Sequence, residues 1–147
     1  TILQKREGYT RQYEGFDPAT VAAFSPEKAE QMLLDPGIVR NRLKVESSIQ
    51  GANVFLELAA KHGSFANYIW QFVEGKPIQN SWKSLSEVPA ETPQSQAMSK
   101  ALKKAGMKFV GPTICYAYMQ ATGMVNDHEV NCIRYQPCRE LGEGFQL

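Results

Sequence analysis

Apolar positions along this chain recur at helical spacing. Between residues 41 and 62, Val45, Ile49, Ala52, Leu56 and Ala59 return every three or four positions, which predicts one long helix with a single buried stripe. Gly63 follows Lys61 and His62, as a left-handed stop after a basic last turn would. Two shorter helices are expected before it, over 19–24 and 27–34. Each is opened by a capping side chain and a proline at the first helical position, Asp17-Pro18 and Ser25-Pro26. Asp35-Pro36-Gly37 then breaks the chain. Ser64 caps a further aromatic and aliphatic segment, 65–73. Residues 74–95 are rich in Gly, Pro, Ser and Thr and predict a long loop, although Ile78, Trp82, Leu85 and Val88 within it still need cover. No alternating pattern predicts a strand, and no internal repeat is present. The expected architecture is all-α, a helical bundle forming one domain over 1–147.

Residues 95–123 predict two helices joined by a tight turn. The first places Met98, Ala101, Leu102 and Ala105 on one face and Lys100, Lys103 and Lys104 on another, and it ends at Gly106. The second starts at Pro112, shows Ile114, Cys115, Tyr118, Met119 and Thr122 on one side, and ends at Gly123. Between them lies Met107-Lys108-Phe109-Val110-Gly111-Pro112, whose apolar Met107, Phe109 and Val110 are expected to anchor the turn to the core. Two glycines bracketing an apolar turn beside four lysines suit a phosphate. A glycine lets backbone approach closely, and the following helix offers its N-terminal amides and positive dipole end. Pro112 costs nothing there, because the first helical N–H has no internal partner. The plain alternative is a helical hairpin with a solvated lysine face. Glycine spacing, proline and lysines together favour phosphate contact through Lys104, Gly106, Lys108, Val110, Gly111 and Thr113.

Composition adds limits. With 43% apolar and 21% charged residues the chain is an ordinary globular one, not a disordered one. Lys plus Arg is 16 against 15 for Asp plus Glu, so any basic surface must come from local clustering. No apolar run reaches the length of a membrane span, and no cationic leader opens the chain. The first residues read as mid-helix without an initiator Met, and the sequence is expected to be part of a longer protein. Three cysteines, Cys115, Cys132 and Cys138, argue against a disulfide scaffold and for a reducing compartment. His128 and Cys132 are four apart, so on a helical turn they reach one ion, and imidazole with thiolate suits Zn²⁺. A packed Cys beside a surface His is the alternative. Cys138, after Pro137 in an expected loop, ranks below these two.

The turn resembles the helix-hairpin-helix pattern hydrophobic-x-Gly-hydrophobic-Gly-Pro, with Phe109 standing where the first hairpin glycine belongs. The longer strings Ala97-Met98-Ser99-Lys100-Ala101-Leu102-Lys103-Lys104, Phe109-Val110-Gly111-Pro112-Thr113-Ile114-Cys115-Tyr116 and Val125-Asn126-Asp127-His128 are similar to one family, the DNA-3-methyladenine glycosylases I. Leu3-Gln4-Lys5-Arg6-Glu7-Gly8-Tyr9, Phe16-Asp17-Pro18 and Gly37-Ile38-Val39-Arg40-Asn41-Arg42-Leu43-Lys44 extend the likeness over essentially the whole chain.

That resemblance implies a helical bundle of the helix-hairpin-helix glycosylase type. It implies a monofunctional enzyme that hydrolyses the N-glycosidic bond of 3-methyladenine in alkylated double-stranded DNA after extruding the base. A monomer in the bacterial cytoplasm is expected. The family's structural zinc takes a Cys and a His from each end of the chain. His128 and Cys132 match the C-terminal pair, and the N-terminal pair has no counterpart in residues 1–147. The recognising glutamate and much of the aromatic pocket belong before the position matching Thr1, so no catalytic residue is assigned. Trp70, Phe72, Phe109, Tyr116 and Tyr118 are aromatics expected mostly in the core. Asp127 is read as the cap of a helix carrying His128 and Cys132. Two other readings remain: a non-catalytic helix-hairpin-helix module gripping DNA backbone, and a structural all-α protein with an adventitious glycine turn.

Overall fold

A computed structural model describes residues 1–147. Its helices are α1 (Arg6–Gln12), α2 (Pro18–Ala22), α3 (Pro26–Met32), α4 (Arg42–His62), α5 (Phe65–Trp70), α6 (Pro93–Lys104), α7 (Pro112–Ala121) and α8 (Tyr135–Glu143). The capping signals act as expected. Asp17, Ser25 and Ser64 each accept an amide of the following first turn, and proline follows at the first position of α2 and α3; Asn41, placed inside the long helix by the sequence, proves to be its cap. Thr92 and Ser95 form a reciprocal capping box that starts α6.

Two cores lie along α4. Tyr13, Val21, Ala29, Met32, Ile38 and Val45 form the first. Residues of α5, α6 and α7, with Met124 and Val125, form the second, against which Leu58 of α4 packs. At 21 residues α4 is about 32 Å long, enough to reach both.

The structure changes several expectations. The predicted stripe of α4 holds at Val45 and fails at Leu56, which is 36% exposed, whereas Val54 is buried. The reason is that α2 packs on one side of α4 and α5 on another, so the buried stripe turns along the helix. On α7 the buried residues are Cys115, Tyr116 and Met119, while Ile114 and Tyr118 are exposed. The loop after α5 contains a two-residue strand, β1 (Ile78–Gln79), paired in parallel with β2 (Val125–Asn126). Two residues are too few to show an alternation. Residues 128–134 are irregular turns, not a helix, so Asp127 caps no helix there. Cys138 lies in α8, not in a loop, because Pro137 falls in the first turn, where proline is tolerated.

The register of the packing is open to test by urea unfolding. Met98, fully buried in the second core, should cost about 2–5 kcal/mol on truncation to Ala. Leu56→Ala should cost about 1 kcal/mol or less. Equal costs would contradict the twisted stripe.

Candidate nucleic-acid interface

The turn between α6 and α7 is closed on its carbonyl side. Gly106, at φ +108°, ends α6 in a Schellman pair: its amide donates to the Lys103 carbonyl and that of Met107 to Leu102, both at 3.0 Å. The Gly106 carbonyl accepts from Gln50 Nε2 of α4 at 2.8 Å. Ser99 Oγ donates to the Val110 carbonyl at 2.6 Å, and the Cys115 amide to the Gly111 carbonyl at 2.9 Å. Met107 and Val110 pack against the second core.

The amide side is left open. The N–H groups of Lys108, Phe109, Val110, Gly111, Thr113 and Ile114 donate to no protein group. Around Gly111 no atom lies within 4 Å of where a Cβ would stand, and its φ of −64° is ordinary. Neither sterics nor backbone strain inside the protein calls for glycine there, and the backbone at this point is open to close approach from outside. Lys104 and Lys108 are exposed beside it. The Thr113 hydroxyl lies 3.5 Å from Glu91, at the limit of a hydrogen bond. All six predicted residues, 104, 106, 108, 110, 111 and 113, thus fall on one turn. Gly106 serves as its hinge and Val110 as its anchor through the side chain. This end can hold an anion by amides, helix dipole and lysine charge together. Phe109 departs from the expectation: its ring is 49% exposed and anchors nothing.

Asp127 is occupied. Its Oδ1 accepts from Asn80 Nδ2 at 2.7 Å and Trp82 Nε1 at 2.8 Å. Its Oδ2 accepts from Gln120 Nε2 at 2.9 Å and from the Tyr116 hydroxyl. Burial pushes the carboxyl pKa up, but the four hydrogen bonds outweigh it and hold the pKa below the usual value. Burial and the same contact push the Tyr116 hydroxyl well above its usual value. The carboxylate therefore ties α7 to the loop at 80–82. Sequence reasoning missed this role because the partners lie 45–47 residues upstream and 7–11 residues away on α7.

His128 Nδ1 and Cys132 Sγ lie 3.6 Å apart, and the Arg134 amide donates to the same sulfur at 3.5 Å. No third His, Cys, Asp or Glu gathers with the pair into a metal-binding cluster, and Cys138 faces the Arg134 guanidinium at 3.9 Å. Of the five aromatics considered, Trp70 and Tyr116 are buried. Trp70 stacks on Phe145 with ring centroids 4.3 Å apart.

Residues 1–135 match the family model described as methyladenine glycosylase. The chain is 45% identical over 135 residues to DNA-3-methyladenine glycosylase 1 of Escherichia coli K12, covering 92% of this chain and 72% of that one. It is 39% identical over 139 residues to DNA-3-methyladenine glycosylase of Haemophilus influenzae, covering 95% and 73%. A solved variant of 3-methyladenine DNA glycosylase I in complex with 3-methyladenine superposes with a TM-score of 0.88 at 29% identity, covering 91% of this chain and 72% of that one.

Asp127→Asn should lower stability at pH 7 by about 1–3 kcal/mol, because one oxygen becomes a donor facing donors. A depressed folded-state pKa contributes stability above the unfolded value, and that contribution is lost as pH falls through the folded one. The melting-temperature gap between wild type and variant should therefore narrow below about pH 4. Other carboxylates are common to both proteins and cancel in the difference. A gap constant from pH 7 to pH 3 would refute the role.

Proposed function

The chain belongs to the methyladenine glycosylase family, and from that premise we propose that it acts in base-excision repair, releasing 3-methyladenine from alkylated DNA. The observation that carries the reading is the set of unpartnered amides from Lys108 to Ile114 around the open space at Gly111. These amides hold a backbone phosphate, and Lys104 and Lys108 add charge. Such contacts position the duplex without reading its sequence.

The reaction is hydrolysis without strand cleavage. A water oxygen bonds to C1′ of the deoxyribose while the bond from C1′ to the base nitrogen breaks. The bonding pair moves onto the base and cancels the charge that methylation placed there, so a neutral base leaves. The water's proton passes to solvent. A leaving group already cationic needs little acid catalysis, and an aromatic pocket favours it by stacking on the charge. Asp127, with four donors on its two oxygens, is a structural carboxylate and activates no water in this scheme. No residue of 1–147 is assigned to base recognition.

His128 and Cys132 would hold a structural Zn²⁺. Their separation of 3.6 Å fits two vertices of a tetrahedron with bonds of about 2.0 and 2.3 Å. The Arg134 amide also donates to that sulfur. Two donors are half of such a site, and the ion's further ligands lie beyond this pair. When bound, the metal supplies cross-linking, not chemistry. The proposed working form is a monomer in the bacterial cytoplasm, where the duplex is.

The deciding assay measures free 3-methyladenine released from methylated duplex, with residues 1–147 and the complete gene product side by side. Release by the complete product is expected. Duplex binding without release would leave a non-catalytic backbone-binding module. Gly111→Val should keep the melting temperature and weaken duplex binding. Lys108→Ala should reduce the slope of log affinity against log salt by about 1. Wild-type binding by both would remove the turn as the docking element. Zinc content of the complete product should fall in His128→Ala, and unchanged content would remove His128 from the ligands.

A further inference from the structure

Phe109 occupies the left-handed region at φ +57°, a conformation that L side chains adopt with strain and glycine adopts freely. Such positions persist where the surroundings enforce them or a function uses them. Elsewhere in the chain the other left-handed aromatic, Phe16, stacks on Tyr13 with centroids 5.5 Å apart. Phe109 has no such partner. Met107 and Val110, on either side of it in the turn, pack against the second core, while its own ring is 49% exposed. The Lys44 ammonium of α4 sits 5.9 Å from the ring centroid. Backbone preference does not account for a large aromatic here, since glycine adopts this conformation without strain, and the side chain belongs to neither core.

We propose that Phe109 is a DNA-contacting residue. Its ring lies against the deoxyribose next to the phosphate held by the turn's amides, and Lys44 behind it carries the docking surface from the hairpin onto α4. Phe109 immediately precedes the unpartnered amides of Val110 and Gly111 in the same turn. A sugar offers an apolar face to an aromatic ring, and the adjacent strand charge attracts the ammonium. The contact is blind to base identity, as the role of a backbone clamp requires. This deepens the glycosylase reading and rests on it.

Phe109→Gly separates function from structure, because it relieves the backbone strain and removes a half-exposed side chain that belongs to neither core. The complete gene product is measured by thermal unfolding and by fluorescence anisotropy on a duplex containing a stable abasic-site analogue. The melting temperature should stay the same or rise. Affinity should fall roughly five- to tenfold, with an unchanged salt slope because no charge is lost. Lys44→Gln should lower affinity and reduce that slope. Phe109→Leu should retain part of the affinity through its apolar surface. Wild-type affinity in Phe109→Gly, or a lower melting temperature in it, would overturn the proposal and leave the glycosylase reading standing. Absence of duplex binding and base release by the wild type would overturn both.

Discussion

The turn between α6 and α7 depends on a division of its hydrogen bonds. Its carbonyls at Gly106, Val110 and Gly111 are taken by Gln50, Ser99 and the Cys115 amide, which come from three different helices. With these oxygens fixed inward, the amides from Lys108 to Ile114 face out and stay unpaired. A row of unsatisfied donors is tolerated only where water or a ligand can reach it. That constraint is what suits the hairpin to the phosphate contact proposed for it. The same fixing holds Phe109 in a strained conformation.

Asp127 plays the corresponding role on the far side of α7. Tyr116 and Gln120 tie the carboxylate to that helix, and Asn80 and Trp82 bring in the long loop. β2, joined to β1, delivers the aspartate to this position. A half-buried charge met by four donors holds the residues at 80–82, which have no regular secondary structure of their own. α7 is thus held at its start by the turn and near its end by this carboxylate.

Much was legible in the residues. The caps at Asp17, Ser25 and Ser64 set helix starts through local bonds spanning three residues, and Gly106 and Pro112 marked the hairpin locally as well. Other features were hidden. The rotation of the buried stripe of α4 from Val45 to Val54 depends on which helices pack there. The strand at Ile78–Gln79 is too short for periodicity. The expected helix at His128 and Cys132 is a series of turns, yet the two side chains still meet.

By itself the chain determined several helix starts, its hairpin motif and its family likeness, because these are written in contacts between near neighbours. Tertiary structure alone decided which groups are spent and which are free. It assigned Asp127 to holding the fold, opened the space around Gly111 and left the Phe109 ring outside the core. Those outcomes rest on partners tens of residues away, whose meeting is a product of packing and not of local order.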